Sequence, residues 1–268
     1  MSVWSRLLCK FKKTMEDFKK IESNFEDNIA KITLLQESPF IIGKLAMELL
    51  GSLESEAGQV PACLDVKKKL SRTIKEIDKL KEHSEIKEQF SIIYNQSLVL
   101  LISHFESLMT DLFVCIIDNY PFLLKWPEKK KISIDVDILR YSSPTVGALV
   151  CKSFKGEINF QDLQSTIKFL NEFLCLEISL EETIKGKIIL FQALRHIIIH
   201  NNAIVDEQFL RQIRDNKSRR GYSSEQKVLI SLEQFDEAKK IFLDFKKEIM
   251  NSLQLHYKKY LNEHPTNY

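Results

Sequence analysis

The stretch from Ile86 to Tyr120, with the sequence IKEQFSIIYNQSLVLLISHFESLMTDLFVCIIDNY, decides the fold of this chain. Apolar residues recur in it every three or four positions, which is the spacing of one face of an α-helix. The resulting stripe is wide enough for the central helix of a bundle and runs through Ile93, Leu100, Leu101, Phe105, Leu108, Leu112 and Ile116. Pro121 follows directly and ends the predicted helix, because proline lacks the amide hydrogen that a helix interior requires.

Similar spacing on both sides of this stretch predicts further helices and therefore an all-α fold. Val3 to about Leu50 carries an apolar repeat, which Pro39 is expected to divide into two helices. Seven glycines and six prolines are few for 268 residues, which favours long helices over a turn-rich β-structure. The other predicted helices are Leu64 to Lys81, Val146 to Phe154, Phe160 to Leu174, Leu180 to His200 and Leu232 to Tyr260.

Two regions interrupt the helical pattern. Gly51 to Pro61 combines glycine, serine and proline, which is typical of a loop. We place there the boundary between an N-terminal helical extension, residues 1–60, and the main domain, residues 61–268. Lys125 to Thr145 alternates apolar and polar residues near prolines, and is predicted to be an irregular connection or a short strand.

The composition is that of an ordinary globular protein. Lys and Arg total 39 against 37 Asp and Glu, a formal net charge of +2, so any basic patch for nucleic acid must be local. The five cysteines are scattered and form no CxxC pair, which favours reduced thiols in a cytosolic protein. No stretch approaches the ~20 apolar residues that cross a bilayer, and residues 1–13 lack a signal-peptide pattern. We therefore expect a cytoplasmic protein that does not enter a membrane.

One predicted helix carries an unusual polar cluster at its end. Arg195, His196 and His200 lie in the last turns of an otherwise apolar helix. Desolvating such groups costs several kcal/mol unless partners or a wet groove compensate, so a cleft or a subunit interface is expected there. Asn201 and Asn202 follow and are expected to stop the helix, since asparagine tolerates the left-handed conformation found past helix ends.

The string Arg195-His196-x-x-x-His200, followed by NNAIVD, resembles the R-x4-6-H signature of the HEPN superfamily, and within it the RiboL-PSP-HEPN-like subgroup. Residues 103–113, SHFESLMTDLF, resemble the first core helix of that subgroup. The resemblance covers roughly residues 86–255 and leaves about the first 60 residues outside it. Ala203 departs from the pattern, because relatives often carry glycine there.

The resemblance implies a HEPN-type four-helix bundle core with additional N-terminal helices. It also implies an endoribonuclease that uses no metal and no cofactor, in which the ribose 2′-OH attacks the adjacent phosphorus and leaves 2′,3′-cyclic phosphate and 5′-OH ends. His200 would be the proton-transfer residue, since histidine titrates near neutrality. Arg195 would be the phosphate clamp, because a planar guanidinium can form two parallel hydrogen bonds. His196 would be a second polar contact to the substrate or to the clamp.

The family also implies partners and a biological setting. At about 100° per residue, Arg195 and His200 are about 140° apart around the helix, and a homodimer could bring both residue types from two chains into one groove. HEPN proteins usually dimerise in this way. A toxin or antiviral-defence effector is implied, together with an antitoxin or other regulatory protein, for which the apolar stripe of the N-terminal helices is the expected binding place.

Several alternatives stay open from the residues alone. His196 and His200 share a helix face and could bind a metal, although no HExxH glutamate or convincing third ligand is evident. They could also be structural histidines favoured by the helix dipole. Glu106 could orient Arg195 or be an exposed carboxylate, and Asn201 is a cap more readily than a ligand. The basic loop could hold RNA phosphates or be merely solvated; its arginines are Arg211, Arg214, Arg219 and Arg220.

Two functions compete with the enzyme. The first is a catalytically inactive HEPN module that binds RNA or a protein partner; such modules often lack the Arg or the His, and both are present here. The second is a helical scaffold whose histidines occur by chance, which would leave the polar cluster at Arg195 to His200 unexplained.

Overall fold

A computed structural model describes residues 3–57, 84–120, 145–153, 160–214 and 221–263, together with positions 68, 69, 71, 72, 75, 123 and 125. These residues form helices and one isolated antiparallel bridge, between Ile204 and Lys227, so the all-α prediction is confirmed for them. The helices with defined bounds are α1 (Val3–Ala57), α2 (Ser84–Asn119), α3 (Val146–Ser153), α4 (Leu163–Lys168), α5 (Glu182–His200), α6 (Glu207–Gln212) and α7 (Leu232–Glu263). A π-helical turn, Phe169–Phe173, continues α4.

Helix α2 is the centre of the bundle. It packs against α1, α3, α5 and α7, and Leu98, Leu101, Phe105 and Ile116 are fully buried in the common core. A helix surrounded by other helices is apolar on most of its circumference. For this reason, residues Ser91–Asn119 are long and apolar enough for a membrane-spanning helix. No stretch of this kind was expected from the sequence. A buried core helix meets the same two criteria, and half of its most apolar window is buried inside the protein.

The first half of α1 belongs to the same core. Its side chains Phe18, Phe25, Ile29 and Ile32 are buried among those of the other helices. Hydrogen bonds also hold it against the other helices. Thr14 Oγ1 donates to Tyr257 Oη at 3.0 Å, and Tyr120 Oη donates to Asp17 Oδ2 at 2.9 Å. Lys246 Nζ donates to Glu22 at 2.7 Å and to Glu26 at 2.6 Å. Residues 14–36 are therefore an integral layer of the bundle.

Helix α1 continues through Pro39, so the prediction of two helices was wrong. Proline removes the amide hydrogen that would bond the carbonyl of Leu35. Leu35 is 50% exposed, so this turn of α1 lies at the protein surface, and the helix continues without that one bond.

The second half of α1 exposes an apolar surface, which we call the α1 outer face. Its side chains are 44–66% exposed and are Leu34, Leu35, Ile41, Ile42, Leu45, Leu49 and Leu53. The helix runs to Ala57, so the loop predicted from Gly51 was wrong for its first residues. Residues 58–67 lie outside the described part, and the domain boundary at residue 60 stays a prediction.

The other predicted elements agree with the structure to within a few residues, where it describes them. Helix α4 begins at Leu163 and not at Phe160, with Asp162 as its N-cap. Helix α5 ends at His200 as predicted. Of the helix predicted at Leu64 to Lys81, the few described positions are helical, and residues 126–144 of the predicted irregular connection lie outside the described part.

Candidate functional site

A polar groove of about 370 Å³ lies where α5 meets the start of α4 and the end of α6. Arg195 and His196 of α5 both line it, so the structure brings two of the three motif residues together. The sequence predicted either a cleft or a subunit interface around Arg195, His196 and His200, and this groove adjoins the first two of them. The other lining residues are mainly amides and are Gln161, Asp162, Gln164, Ile189, Gln192, Ala193 and Gln212.

Arg195 is held against the central helix by Glu106. Its Nη2 lies 3.4 Å from both Glu106 carboxylate oxygens, and both side chains are 16% exposed. Gln161 donates from Nε2 to Glu106 Oε2, also at 3.4 Å. Charge-assisted N–H···O bonds are usually 2.7–2.9 Å long, so these contacts are loose. Arg195 Nε and Glu106 Oε1 are buried and have no hydrogen-bond partner among the described residues. Glu106 therefore orients the guanidinium of Arg195 but does not use all of its hydrogen-bond donors.

Glu106 is an unfavourable place for a negative charge. Burial raises the pKa of Glu106 above its ordinary value, and the charge of Arg195 and the hydrogen bond from Gln161 offset this only in part. The carboxylate next to Arg195 therefore costs stability when it is ionised. Such a cost is common where a site is built for binding or chemistry.

His200 lies one helical turn beyond the groove. Its ring centroid is 4.8 Å from that of His196, with the two ring planes tilted by 48°. His196 is half-buried and His200 is exposed. His200 does not line the groove, but it lies next to His196, which does.

The face of α5 that lines the groove is wider than a narrow stripe. At about 100° per residue, the lining residues Ala193 and Arg195 are themselves about 160° apart around the helix. The direction of His200, about 140° from Arg195, falls within that range. Angular separation alone therefore does not require a second chain to unite Arg195 and His200.

The end of α5 is fixed by its two asparagines, as predicted. Asn201 is the C-cap; its backbone N–H donates to the Ile197 carbonyl, and its Nδ2 donates to the Ile204 carbonyl at 2.8 Å. Asn202 and Ala203 both have left-handed φ values, 51° and 61°. Ala203 thus occupies a conformation that favours glycine, the residue that the HEPN pattern often carries there.

The predicted basic surface is only partly placed. Arg211 and Arg214 are exposed at the end of α6, next to the groove residue Gln212. Arg211 Nε donates to the Glu207 carbonyl at 3.2 Å, and this hydrogen bond holds the Arg211 side chain against α6. Arg219 and Arg220 lie outside the described residues.

Metal and thiol chemistry find no support in the described part of the chain. No group of three or more His, Cys, Asp or Glu side chains is placed there to hold a metal ion, and the His196–His200 pair has no third ligand of these types. Cys115 and Cys175 are free thiols, and burial raises the pKa of Cys115 to about 11, which disfavours its thiolate.

The groove glutamines were missed by the sequence analysis. They come from three separate places in the chain, and glutamine on a helix surface has no distinguishing pattern. Gln192 alone had a signal, since it precedes His196 by one helical turn and shares its face.

Comparison of the chain with protein-family models, with curated proteins and with solved structures finds no match. The resemblance to the HEPN superfamily accordingly rests on the motif at Arg195 to His200 and its sequence context.

Proposed function

We propose that this chain is a metal-independent endoribonuclease of the HEPN type. The observation that supports this most is the groove at the end of α5, where Arg195 and His196 sit together and His200 lies 4.8 Å from His196, ring to ring. A guanidinium beside two imidazoles supplies the residue types that phosphodiester transfer without a metal needs.

The proposed reaction uses each of these groups once. The ribose 2′-oxygen forms a bond to phosphorus while the bond from phosphorus to the 5′-oxygen breaks. His200 takes the proton of the 2′-OH. The leaving 5′-oxygen gains a proton from water or from His196. Arg195 stabilises the charge on the phosphorane oxygens through two parallel hydrogen bonds. The loose contact with Glu106 would allow the guanidinium to turn toward a phosphate at small cost.

We further propose that two copies of the chain pair near this site. His200 is exposed at the end of α5, and the apolar residues close to it in the chain, Ile199 and Ile204, are 45% and 37% exposed. Apolar side chains beside an exposed functional group are typical of a surface that a partner covers. A second copy would shield His200 from water and add its own motif to the site.

A regulatory partner is part of the same proposal. An RNA-cutting enzyme in the cytoplasm needs restraint, and a toxin or antiviral-defence effector would have an antitoxin or another inhibitor. The α1 outer face supports this, because an apolar helix face of this length fits an amphipathic helix of another protein.

The test is cleavage of labelled RNA in EDTA by the wild-type chain and by two variants, Arg195→Ala and His200→Ala. We expect wild-type cleavage to persist in EDTA, to leave 2′,3′-cyclic phosphate ends and to be lost in both variants. His104→Ala, which changes a histidine of α2 outside the groove, is the matched control and should cut normally. Cleavage abolished by EDTA would instead make the histidine pair a metal site.

A binding module without catalysis is the second candidate function. The observation in its favour is that Arg195 is only 16% exposed and already paired with Glu106, so a substrate phosphate has to compete for it. RNA binding that depends on Arg195, with no cleavage of any RNA, would support this function over the first.

A further inference from the structure

We infer that the glutamine-lined part of the groove is a subsite for one nucleobase of single-stranded RNA, next to the Arg195 clamp. Four amides converge there from three elements: Gln161 and Gln164 at the start of α4, Gln192 on α5 and Gln212 at the end of α6. The identity of the ligand as RNA rests on the proposed function. The subsite itself rests on the chemistry of the groove.

The charge of the groove argues against a second phosphate. Among the described residues that line it, Arg195 is the only Lys or Arg, and Asp162 contributes a carboxylate. A phosphate is bound mainly by cationic side chains, and the described lining side chains include no lysine or arginine besides Arg195. Apart from the Asp162 carboxylate and His196, what remains beside the clamp is a surface of amide and apolar side chains.

That surface matches the edge of a nucleobase. A glutamine amide carries one acceptor and two donors in a plane, and a base edge carries donors and acceptors in a plane at the same spacing. The half-buried apolar side chain of Ile189 also lines the groove and could contact the face of a base. Amides and apolar contacts together distinguish a base subsite from a sugar–phosphate track.

Two of the amides already have an orienting contact. The backbone N–H of Leu163 donates to Gln192 Oε1 at 3.2 Å, which leaves the Gln192 amino group to donate to a ligand. Gln161 Nε2 donates to Glu106 Oε2 at 3.4 Å, so this amide touches both the subsite and the carboxylate that holds Arg195. The base subsite and the clamp are thus parts of one connected arrangement.

The space is sufficient for a base and its neighbour. The groove of about 370 Å³ adjoins a second groove of about 710 Å³, and both are lined by Gln164, Ile189 and Gln212. Gln164 and Gln212 stand at this junction, on different helices. They are therefore the residues whose loss should remove base selection without touching Arg195, His196 or His200.

The experiment measures binding separately from cleavage. Full-length His200→Ala protein is titrated with four fluorescent RNA pentamers, each of one base, at a single salt concentration. We expect one pentamer to bind roughly tenfold more tightly than the weakest, the effect of a good bidentate base contact. Adding Gln164→Leu and Gln212→Leu should reduce that difference to less than about twofold, with binding of the weakest pentamer unchanged. The pair Gln96→Leu and Gln208→Leu, at exposed positions outside the groove, is the matched control.

The outcomes separate this inference from the proposed function. Three results would overturn the subsite. The first is equal binding of all four pentamers, and the second is no binding of any. The third is a base preference that survives in the groove double variant while the circular dichroism and melting temperature of that variant are unchanged. Base-selective binding that the double variant loses, without RNA cleavage by the wild-type chain, would support the subsite and refute the endoribonuclease. Cleavage by the wild-type chain with no base preference would do the reverse.

Discussion

The Nη2 atom of Arg195 lies 3.4 Å from each carboxylate oxygen of Glu106 and so links α5 to the central helix α2 inside the candidate site. The two residues are 89 positions apart in the chain. Their contact is long for an ion pair, and the burial that raises the pKa of Glu106 is only partly offset by Arg195. The pair therefore positions the guanidinium at a cost to the stability of the fold.

The first prediction concerns that cost. The folded-state pKa of Glu106 is raised, so the folded chain gains stability from protonation of this group below its ordinary pKa and loses it as the pH rises through the raised value. Glu106→Gln should therefore raise the melting temperature at pH 7, and the gain should shrink toward pH 4. Thermal unfolding at both pH values checks this, with Glu207→Gln as the exposed control. A lower melting temperature at pH 7 would show that the attraction to Arg195 outweighs burial.

The second prediction concerns the shape of the clamp. Arg195→Lys keeps the positive charge but loses the planar fork that can bind two phosphate oxygens in parallel. We expect kcat/KM for RNA cleavage to fall at least about tenfold, as for the loss of one strong transition-state contact. Arg72→Lys, at an exposed position that does not line the groove, should change it little. Full activity in Arg195→Lys would mean that charge alone suffices.

The third prediction concerns the ion pairs between α7 and α1. Burial alone would lower the pKa of Lys246, but hydrogen bonds and charges from Glu22 and Glu26 outweigh it and raise the pKa. The stabilisation is therefore complete at neutral pH and is lost as the pH rises past the ordinary lysine value of ~10.4. Lys246→Met should lower the free energy of unfolding at pH 7 by about 1–3 kcal/mol, because two carboxylates lose their buried partner.

Urea unfolding measures the effect of Lys246→Met, and Lys240→Met, at an exposed position of α7, is the control. The difference between wild type and Lys246→Met should narrow above pH 10.5. An unchanged free energy of unfolding would mean that the three charges only break even with their desolvation.

The fourth prediction concerns the contact between α3 and α2. A Cβ at Gly147 would lie 2.5 Å from the Val114 carbonyl oxygen and 3.0 Å from the Asp118 carboxylate, and the Gly147 N–H donates to that carboxylate. Gly147→Ala should destabilise the chain by about 1–3 kcal/mol, because a helix backbone has to move. Gly43→Ala, where nothing lies within 4 Å, should instead stabilise α1 by up to about 1 kcal/mol. Equal effects of the two variants in urea unfolding would contradict the close packing of α3 on α2.

The fifth prediction concerns the turn after the motif. Ala203 has a left-handed φ of 61°, a conformation that costs residues with a Cβ about 1–2 kcal/mol. Ala203→Gly should stabilise the fold by less than about 1 kcal/mol, since the greater freedom of glycine in the unfolded chain offsets part of the gain. Asn202→Ala should act in the opposite direction. Their melting temperatures, measured side by side, are expected to lie on either side of the wild-type value.

The elements that were predicted well are those with strong periodicity. Helices α2, α5 and α7 carry long apolar repeats, and Asn201 and Asn202 give a local stop, so pattern alone locates them. The uninterrupted course of α1 was missed because the effect of a proline on a helix depends on the surroundings of the lost hydrogen bond. That is a property of the packed structure.

The candidate site divides in the same way. The motif at Arg195 to His200 is local and could be read from the sequence. The partner of Arg195 was named only as one of two possibilities, since Glu106 lies on a different helix. The glutamine cluster could not be predicted, because Gln164, Gln192 and Gln212 meet only after α4, α5 and α6 have packed.

Helix α1 is one element in geometry, but its two halves should open independently. Residues 14–36 are tied into the core by buried aromatic side chains and by the contacts with Tyr257, Tyr120 and Lys246. None of the described side chains of residues 41–57 is buried, and Pro39 removes a hydrogen bond between the halves. Amide protons of the first half should exchange with deuterium only on global unfolding, and those of the second half through local fraying. We therefore expect the cooperative folding unit to end near Pro39, well before the helix does.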